Sequence, residues 1–495
     1  MPELSDLFDS AAARTLDAQT SALHGDDGWR LMSAAGLAAW RYLLQYWPRA
    51  QRICVVVGSG NNGGDGLVLA SHALRAGRQV TVLGAPGWTP ATSLAQRAAE
   101  ELLAAGGSVQ QRAHDLPGAD LVVDALLGLG LQQAPRPAAQ RLIEAINVHP
   151  APVLALDVPS GVDADRGSIA GAAVRAQRTL QFIVRHRGLH TGAALEHGGV
   201  LDLAPLELPA AAWQGVQAAA RHWQAERLAA HLPARRRNAH KGDSGHVLCV
   251  GGNHGSGGAV LLAAEATLRS GAGLTSLATR AAHVTAALVR VPEAMVHALD
   301  DAPSLQPLLA RATVLAIGPG LGQDAWAHTL WQQARDSGLP LVVDADALNL
   351  LAAAPLPLPG AILTPHPGEA ARLLGCSTAQ VQGDRFGAAA ALAERYNAVV
   401  VLKGAGSVVA GPGRTCAVID AGNPGMAVGG MGDLLTGIIA ALRAQHLEAF
   451  DAAACGALLH GLAGDDAAHG GARGLLPTDL LAPLRRRCNP DLHHA

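Results

Sequence analysis

Short runs of Val, Ile, Leu and Cys recur along this chain and alternate with longer Ala- and Leu-rich stretches of helical period. Such alternation predicts an α/β fold, with parallel sheets and crossover helices. In the first half the expected strands are 53–57, 80–83, 121–124 and 153–157. In the second half they are 246–250, 314–317, 341–344, 362–364 and 398–402. From about 207 to 240 the chain is rich in Ala, Gln and Arg, is broken by Pro209 and Pro233, and shows no strand pattern. This stretch reads as a connector of helical character. The two halves share a strand-then-glycine habit but carry different motifs, so no internal repeat is expected.

At 495 residues the chain exceeds one ordinary core, which makes two domains the expectation. They are placed at 1–215 and 235–495, with the helical connector at 216–234. Apolar residues at 49% and charged residues at 16% give a globular balance. Aromatics at 3% leave the cores to Ala, Leu and Val. A net charge of −3 offers no electrostatic footprint for nucleic acid. The six cysteines, Cys54, Cys249, Cys376, Cys416, Cys455 and Cys488, form no CxxC pair and no metal spacing. This suits a reducing compartment. No leader pattern opens the sequence and no apolar run is long enough to span a bilayer, so the expected location is the cytoplasm, away from membranes.

The first candidate chemistry follows strand 53–57. Gly58-Ser59-Gly60-Asn61-Asn62-Gly63-Gly64-Asp65-Gly66 leads into a helical stretch from Leu67, the context for holding a pyrophosphate at a helix N-terminus. An ordinary dinucleotide fold also needs an acidic residue near the end of its second strand. Here that strand ends Val82-Leu83-Gly84-Ala85-Pro86, and Asn61, Asn62 and Asp65 crowd the loop. A plain dehydrogenase is disfavoured. Two further strand ends, Asp124 before Gly128 and Gly130, and Asp157 before Pro159, Ser160 and Gly161, lead to the same sheet edge. Either aspartate alone would serve as a turn cap; three such ends in one sheet favour a site.

Together, Gly-Asn-Asn-Gly-Gly-Asp-Gly, Val-Asp-Ala-Leu-Leu-Gly and Leu-Asp-Val-Pro-Ser-Gly resemble the YjeF N-terminal domain, the NAD(P)H-hydrate epimerase family. Leu31-Met32-Ser33-Ala34-Ala35-Gly36 is similar to its helical lead-in. The resemblance implies a Rossmann-like three-layer sandwich. It also implies that Asn61, Asn62, Gly63, Gly64 and Asp65, with Gly128, Leu129, Gly130, Leu131, Gln132, Gln133 and Ala134, cradle a hydrated dinucleotide. Asp157 would contact the nicotinamide end as a catalytic residue. K+ would sit on Asn62, Asp124 and Ser160, hard oxygen donors for a hard cation. Where that family usually has a lysine before a Gly-Leu-x-Thr-Gly run, this chain has Arg185-His186-Arg187-Gly188. The role of that lysine does not carry over.

In the second half, two lysines are the only ones among 37 basic residues, and both sit in glycine-rich stretches, at Lys241 and Lys403. An ammonium beside backbone N–H groups suits a phosphate, so a phosphorylated ligand is expected. No glycine precedes either lysine, which excludes a Walker A loop. Instead, Asn423-Pro424-Gly425-Met426-Ala427-Val428-Gly429-Gly430-Met431-Gly432-Asp433 opens a helical stretch and forms an anion hole with a carboxylate at its mouth. Two readings stand for Asp433: a base for an attacking hydroxyl, or a helix cap.

The Gly-x-Gly-Asp arrangement resembles the ribokinase-like superfamily. Residues 241–252, 318–322, 344–349, Thr364-Pro365-His366-Pro367-Gly368-Glu369 and Lys403-Gly404-Ala405-Gly406-Ser407 narrow it to the ADP-dependent NAD(P)H-hydrate dehydratases. The resemblance implies that Lys403, Gly404, Ala405, Gly406, Ser407 and Gly432 hold the adenine nucleotide. Ala259, Gly322, His366 and Asp433 would face the hydrate, and Mg2+ would accompany the phosphates. His366 lies between two prolines, where a purely structural histidine is the alternative.

The whole chain then reads as a bifunctional repair enzyme. It would epimerise R and S hydrates of NADH and NADPH, and dehydrate the S form with ADP as co-substrate; a homo-oligomer is expected. A small-alcohol kinase of the hydroxymethylpyrimidine kinase type, fused to a nucleotide-binding or scaffold domain, is the rival.

Overall fold

The computed structural model describes residues 3, 5–131, 133–300 and 304–490. Two compact units meet in sequence at Arg221 and His222. In the first unit, β1 (Asp6–Leu7) runs antiparallel to β9 (Ala220–His222), Leu7 opposite Ala220. The main sheet contains β2 (Arg52–Val57), β3 (Gln79–Gly84), β4 (Val109–Gln111), β5 (Leu121–Ala125), β6 (Val153–Leu156), β7 (Arg178–Phe182) and β8 (Val200–Ala204). Its order is β4-β3-β2-β5-β6-β7-β8, parallel throughout.

Successive strand residues point to opposite faces, and β2 shows the result. Ile53, Val55 and Val57 enter an apolar layer with Met32, Leu43 and Leu67, whereas Cys54 and Val56 enter another with Leu142 and Ile146. The sheet is thus the middle of three layers. Strand order reverses between β2 and β5, which opens a crevice at their carboxyl ends.

The second unit's sheet holds β10 (His246–Val250), β11 (Leu274–Thr279), β12 (Met295–Ala298), β13 (Val314–Ile317), β14 (Leu341–Val343), β15 (Ile362–Leu363), β16 (Val399–Leu402), β17 (Ser407–Ala410) and β18 (Cys416–Ile419). These run β18-β17-β16-β15-β14-β13-β10-β11-β12. The pairs from β16 to β12 are parallel. Val247, Cys249, Val314, Ala316 and Val342 pack against helices Gly257–Arg269, Met431–Ala444 and Ala449–Ala467 through Val260, Leu434, Ile438 and Leu458.

Two expectations need correction. The second sheet is mixed, because β16, β17 and β18 form an antiparallel meander; Gly404 and Gly406 in the first turn and Gly411 and Gly413 in the second permit the reversals. The stretch 216–234 is not a helical connector. It holds strand Ala220–His222, a 3-10 turn at Ala225–Arg227 and a single helical turn, Leu228–His231. Trp223, just beyond the strand, donates its N–H to Val418 O, and backbone pairing of this kind outranks the helical propensity of Ala, Gln and Arg. No described helix is long and apolar enough to cross a membrane.

Candidate functional sites in the two units

The first unit's crevice is a cavity of about 980 Å3. Helix Asn61–Arg75 starts at its edge from Gly60, with no side-chain cap, so its first N–H groups are free for an anion. Gly63 is required there: a Cβ would lie 2.1 Å from Gly58 O. Asn61, Asn62, Gly63 and Asp65 line the cavity, with Gly128, Leu129, Gly130, Leu131, Gln133, Ala134 and Asp157. Gln132 lies outside the described residues. Gly64 packs against Met32 instead, its added Cβ 2.6 Å from Met32 Cε.

Asp124 and Ser160 are buried. Ser160 donates through its N–H (2.8 Å) and Oγ (2.6 Å) to the Asp124 carboxylate, and Leu126 N–H donates at 3.2 Å. Burial nevertheless lifts the Asp124 carboxyl to about 6. Leu127 O accepts from Asn62 Nδ2 (2.8 Å) and Leu127 N–H donates to Ser160 Oγ (2.8 Å), which ties Asn62 to the Asp124–Ser160 pair. Asn62 Oδ1 is buried with no donor among the described residues. An orphan oxygen beside a buried carboxylate fits a hard monovalent cation.

The cavity also contains a residue that the sequence reading omitted, Asp17 on helix Ser10–His24. Burial and then the charge of Asp157 raise its carboxyl; Asp65 is raised well above the ordinary carboxylate range by burial, then by Asp157 and Asp17. Asp157 sits at φ +65°, and its Oδ1 accepts from Phe182 N–H (3.2 Å) and His186 Nε2 (3.0 Å).

In the second unit the expected residues gather at the carboxyl ends of β14, β15 and β16. Helix Met431–Ala444 begins after Gly430 with no side-chain cap, another open N-terminus. Asp433 lies in its first turn, and burial, followed by Asp344, lifts the carboxyl to about 6. That matches the base reading better than the cap reading, since the side chain makes no capping bond. Lys403 is engaged rather than free: its Nζ donates to Asp344 Oδ1 at 2.7 Å and lies 3.9 Å from Glu369. Thr436 Oγ1 donates to Asp344 Oδ2 at 2.8 Å. A Cβ on Gly432 would come within 3.1 Å of Lys403 Nζ, so the ammonium lies under the helix N-terminus. Lys241 is exposed on a 3-10 turn, Lys241–Ser244.

His366 caps helix Pro367–Leu374, its Nδ1 accepting from Gly368 N–H at 3.0 Å, while Glu369 accepts from His366 N–H at 2.8 Å. His366 thus makes a structural contact, and its half-exposed ring holds Nε2 3.5 Å from Glu369 Oε1. Glu369, quoted in a motif but given no role, is buried and lifted to about 7 by burial against the opposing pull of Lys403. Gly322 N–H donates to Asp346 Oδ2 at 2.8 Å, and Ala259 lies in the first turn of helix Gly257–Arg269 beside Gly320. The loop Gly404, Ala405, Gly406 and Ser407 is braced by Arg385, a fully buried residue with no signal in the local sequence. Its Nη2 donates to Leu402 O, Lys403 O and Gly406 O at 3.2, 3.2 and 3.4 Å. A shallow depression lined by Asp466, His469, Arg486 and Arg487 contains none of the expected residues.

Known proteins resemble both units. A family model described as NAD(P)H-hydrate dehydratase matches residues 247–486, and one described as YjeF-related protein N-terminus matches 28–188. The bifunctional NAD(P)H-hydrate repair enzyme Nnr of Escherichia coli K12 is 45% identical over 94% of this chain and 90% of its own length. The enzyme of that name from Coxiella burnetii is 46% identical over 94% of this chain and 96% of its own. A solved ribokinase-like superfamily protein from Enterococcus faecalis superposes with a TM-score of 0.51 at 30% identity, covering 55% of this chain and 96% of that one.

Proposed function

We propose that this chain, which belongs to the bifunctional NAD(P)H-hydrate repair enzymes, divides the repair between its two units. The first unit interconverts the R and S hydrates of NADH and NADPH. The second dehydrates the S hydrate with ADP, giving AMP, phosphate and restored NAD(P)H.

In the first unit, the open N-terminus of helix Asn61–Arg75 receives the dinucleotide phosphates, and Gly128, Leu129, Gly130, Leu131, Gln133 and Ala134 flank them. Asp157 exchanges the proton at the hydrated nicotinamide, with Asp65 and Asp17 as neighbouring acids. Asn62, Asp124 and Ser160 would hold K+, whose charge offsets the clustered carboxylates. In the second unit, Asp433 removes the proton from the hydrate's hydroxyl, which attacks the terminal phosphoryl of ADP and expels AMP. The phosphate ester formed then leaves as inorganic phosphate while the neighbouring ring carbon gives up a proton to solvent, so that the C–H electron pair becomes the ring's double bond. The N–H groups at Gly432 and the ammonium of Lys403 stabilise the charge that develops on the transferring group. Mg2+ would arrive on the nucleotide phosphates, its usual mode of binding. The six free cysteines suit a reducing, cytoplasmic setting.

The observation that carries the reading is Asp433: a carboxyl lifted to about 6, at an uncapped helix N-terminus above a half-buried lysine paired with Asp344. The test is incubation with hydrated NADH and ADP, following the reduced-nicotinamide absorbance band. Recovery of absorbance with stoichiometric phosphate is expected. A stable phosphorylated product without recovery would identify a small-alcohol kinase instead.

A further inference from the structure

The Asp157 carboxylate does not stand alone. Its backbone is held at φ +65°, a conformation that a residue with a Cβ keeps only when its surroundings enforce it. Asp157 N–H donates to Leu180 O at 2.8 Å, and Oδ1 accepts from Phe182 N–H and from His186 Nε2. His186 is completely buried, and its own N–H donates to Gln181 Oε1 at 2.7 Å, which fixes the base of the ring. A carboxylate only accepts, so this contact needs a proton on Nε2 and leaves Nδ1 as the ring's second polar atom. That Nδ1 is buried with no hydrogen-bond partner among the described residues. The ring is therefore placed for one polar side-chain contact, and that contact is the carboxylate lining the cavity.

We infer that His186 is the positioning residue of the epimerase site. Its Nε2–H holds Asp157 Oδ1, fixing one rotamer and leaving Oδ2, which has no donor among the described residues, for the substrate's proton. Asp65 and Asp17 line the same cavity, and burial disfavours the charged form of both, so a fixed orientation matters: a swinging Asp157 carboxylate would turn toward these neighbours instead of the substrate. This inference rests on the reading of Asp157 as the epimerase's proton-exchanging group.

Epimerisation of purified R hydrate by the full chain tests it. His186→Leu should lower kcat by about 10- to 100-fold, the loss typical when an orienting partner is removed, with KM near wild type. His186→Gln, whose amide N–H can reach the same oxygen, should recover most of that rate. ADP-dependent dehydration by both variants should be unchanged, reporting an intact chain. In an Asp157→Asn background, His186→Leu should cost nothing further. An active His186→Leu beside a dead Asp157→Asn overturns the positioning role and leaves the role of Asp157 standing. An active Asp157→Asn overturns both. A further loss in the double variant shows that His186 supports the fold and not the carboxylate. If His186→Leu does not fold, 15N-histidine spectra of the wild type decide. A protonated Nε2, perturbed by Asp157→Asn, is expected; a bare Nε2 overturns the inference.

Discussion

Asp433→Asn should make the second unit inactive and more stable at neutral pH. In the folded chain this carboxyl titrates at about 6, against an ordinary value of 3.8, because burial and then Asp344 disfavour its charge. A folded value above the unfolded one means that the folded state binds the extra proton. The associated stability is fully present below pH 3.8 and is lost as the pH rises through about 6. The gap is worth about 3 kcal/mol at roughly 1.4 kcal/mol per pH unit. Asparagine never ionises, so above pH 7 the variant should exceed wild type by up to about that amount, raising Tm by several degrees. At pH 3.5 the two should melt together. Meanwhile dehydration should fall by about 10²–10⁴, the usual cost of losing a positioned base. Wild-type kcat should show an acid limb centred near pH 6, absent from the variant's residual rate. Melting curves at pH 3.5 and 8, with turnover at pH 8, check both arms. Wild-type turnover, or a variant less stable at pH 8, would refute the claim that this carboxylate is kept charged for chemistry at the expense of stability.

Asp157→Ala should abolish epimerisation and leave ADP-dependent repair of pure S hydrate near wild type; on a racemic mixture its progress curve should break after the S fraction, where wild type runs through. Arg385→Met strips donors from three carbonyls of the Lys403–Ser407 region and should cost about 1–3 kcal/mol in denaturant unfolding. Its larger effect should be weaker ADP binding by calorimetry; unchanged affinity would separate the brace from the nucleotide loop. Replacing K+ with a bulky organic cation should slow epimerisation and spare dehydration, and Asn62→Leu should remove that sensitivity.

The sequence shows strand ends well and three-dimensional neighbours poorly. Asp124, Asp157 and Asp344 were legible because an uninterrupted apolar run stops at each of them, and such runs are buried parallel strands. The glycines around Gly60 and Gly430 marked where helices would open, but the helices start earlier than the sequence pattern placed them, at Asn61 rather than Leu67 and at Met431 rather than Leu434. Strand Arg178–Phe182 was not, since its Thr179 and Gln181 are polar yet buried: Thr179 donates to Gly198 O and Gln181 Oε1 accepts from His186 N–H, contacts that no local pattern reveals. Asp17 sits on a helix far from the other cavity motifs, and only the fold brings it to Asp65 and Asp157. His186 was seen only as part of the Arg185-His186-Arg187-Gly188 run that replaces a lysine motif; its partner, 29 residues away, became visible only when β6 and β7 were paired. Arg385 looked like any helix arginine until its burial under Leu402 and Gly406 was known.

The uncapped helix starts at Asn61 and Met431 have an evolutionary consequence. If phosphates are gripped there by main-chain N–H groups, the gripping atoms belong to no particular codon, and among substitutions only proline deletes the donor outright. Side chains around such a cradle are free to drift in composition, since the grip does not depend on their chemistry. What cannot drift is the space the backbone needs: any side chain at 63 would collide with Gly58 O, and any at 432 would press on Lys403 Nζ. Inheritance at these sites acts on room rather than on charge, so variation that destroys phosphate recognition should enter as added carbon and not as a lost functional group.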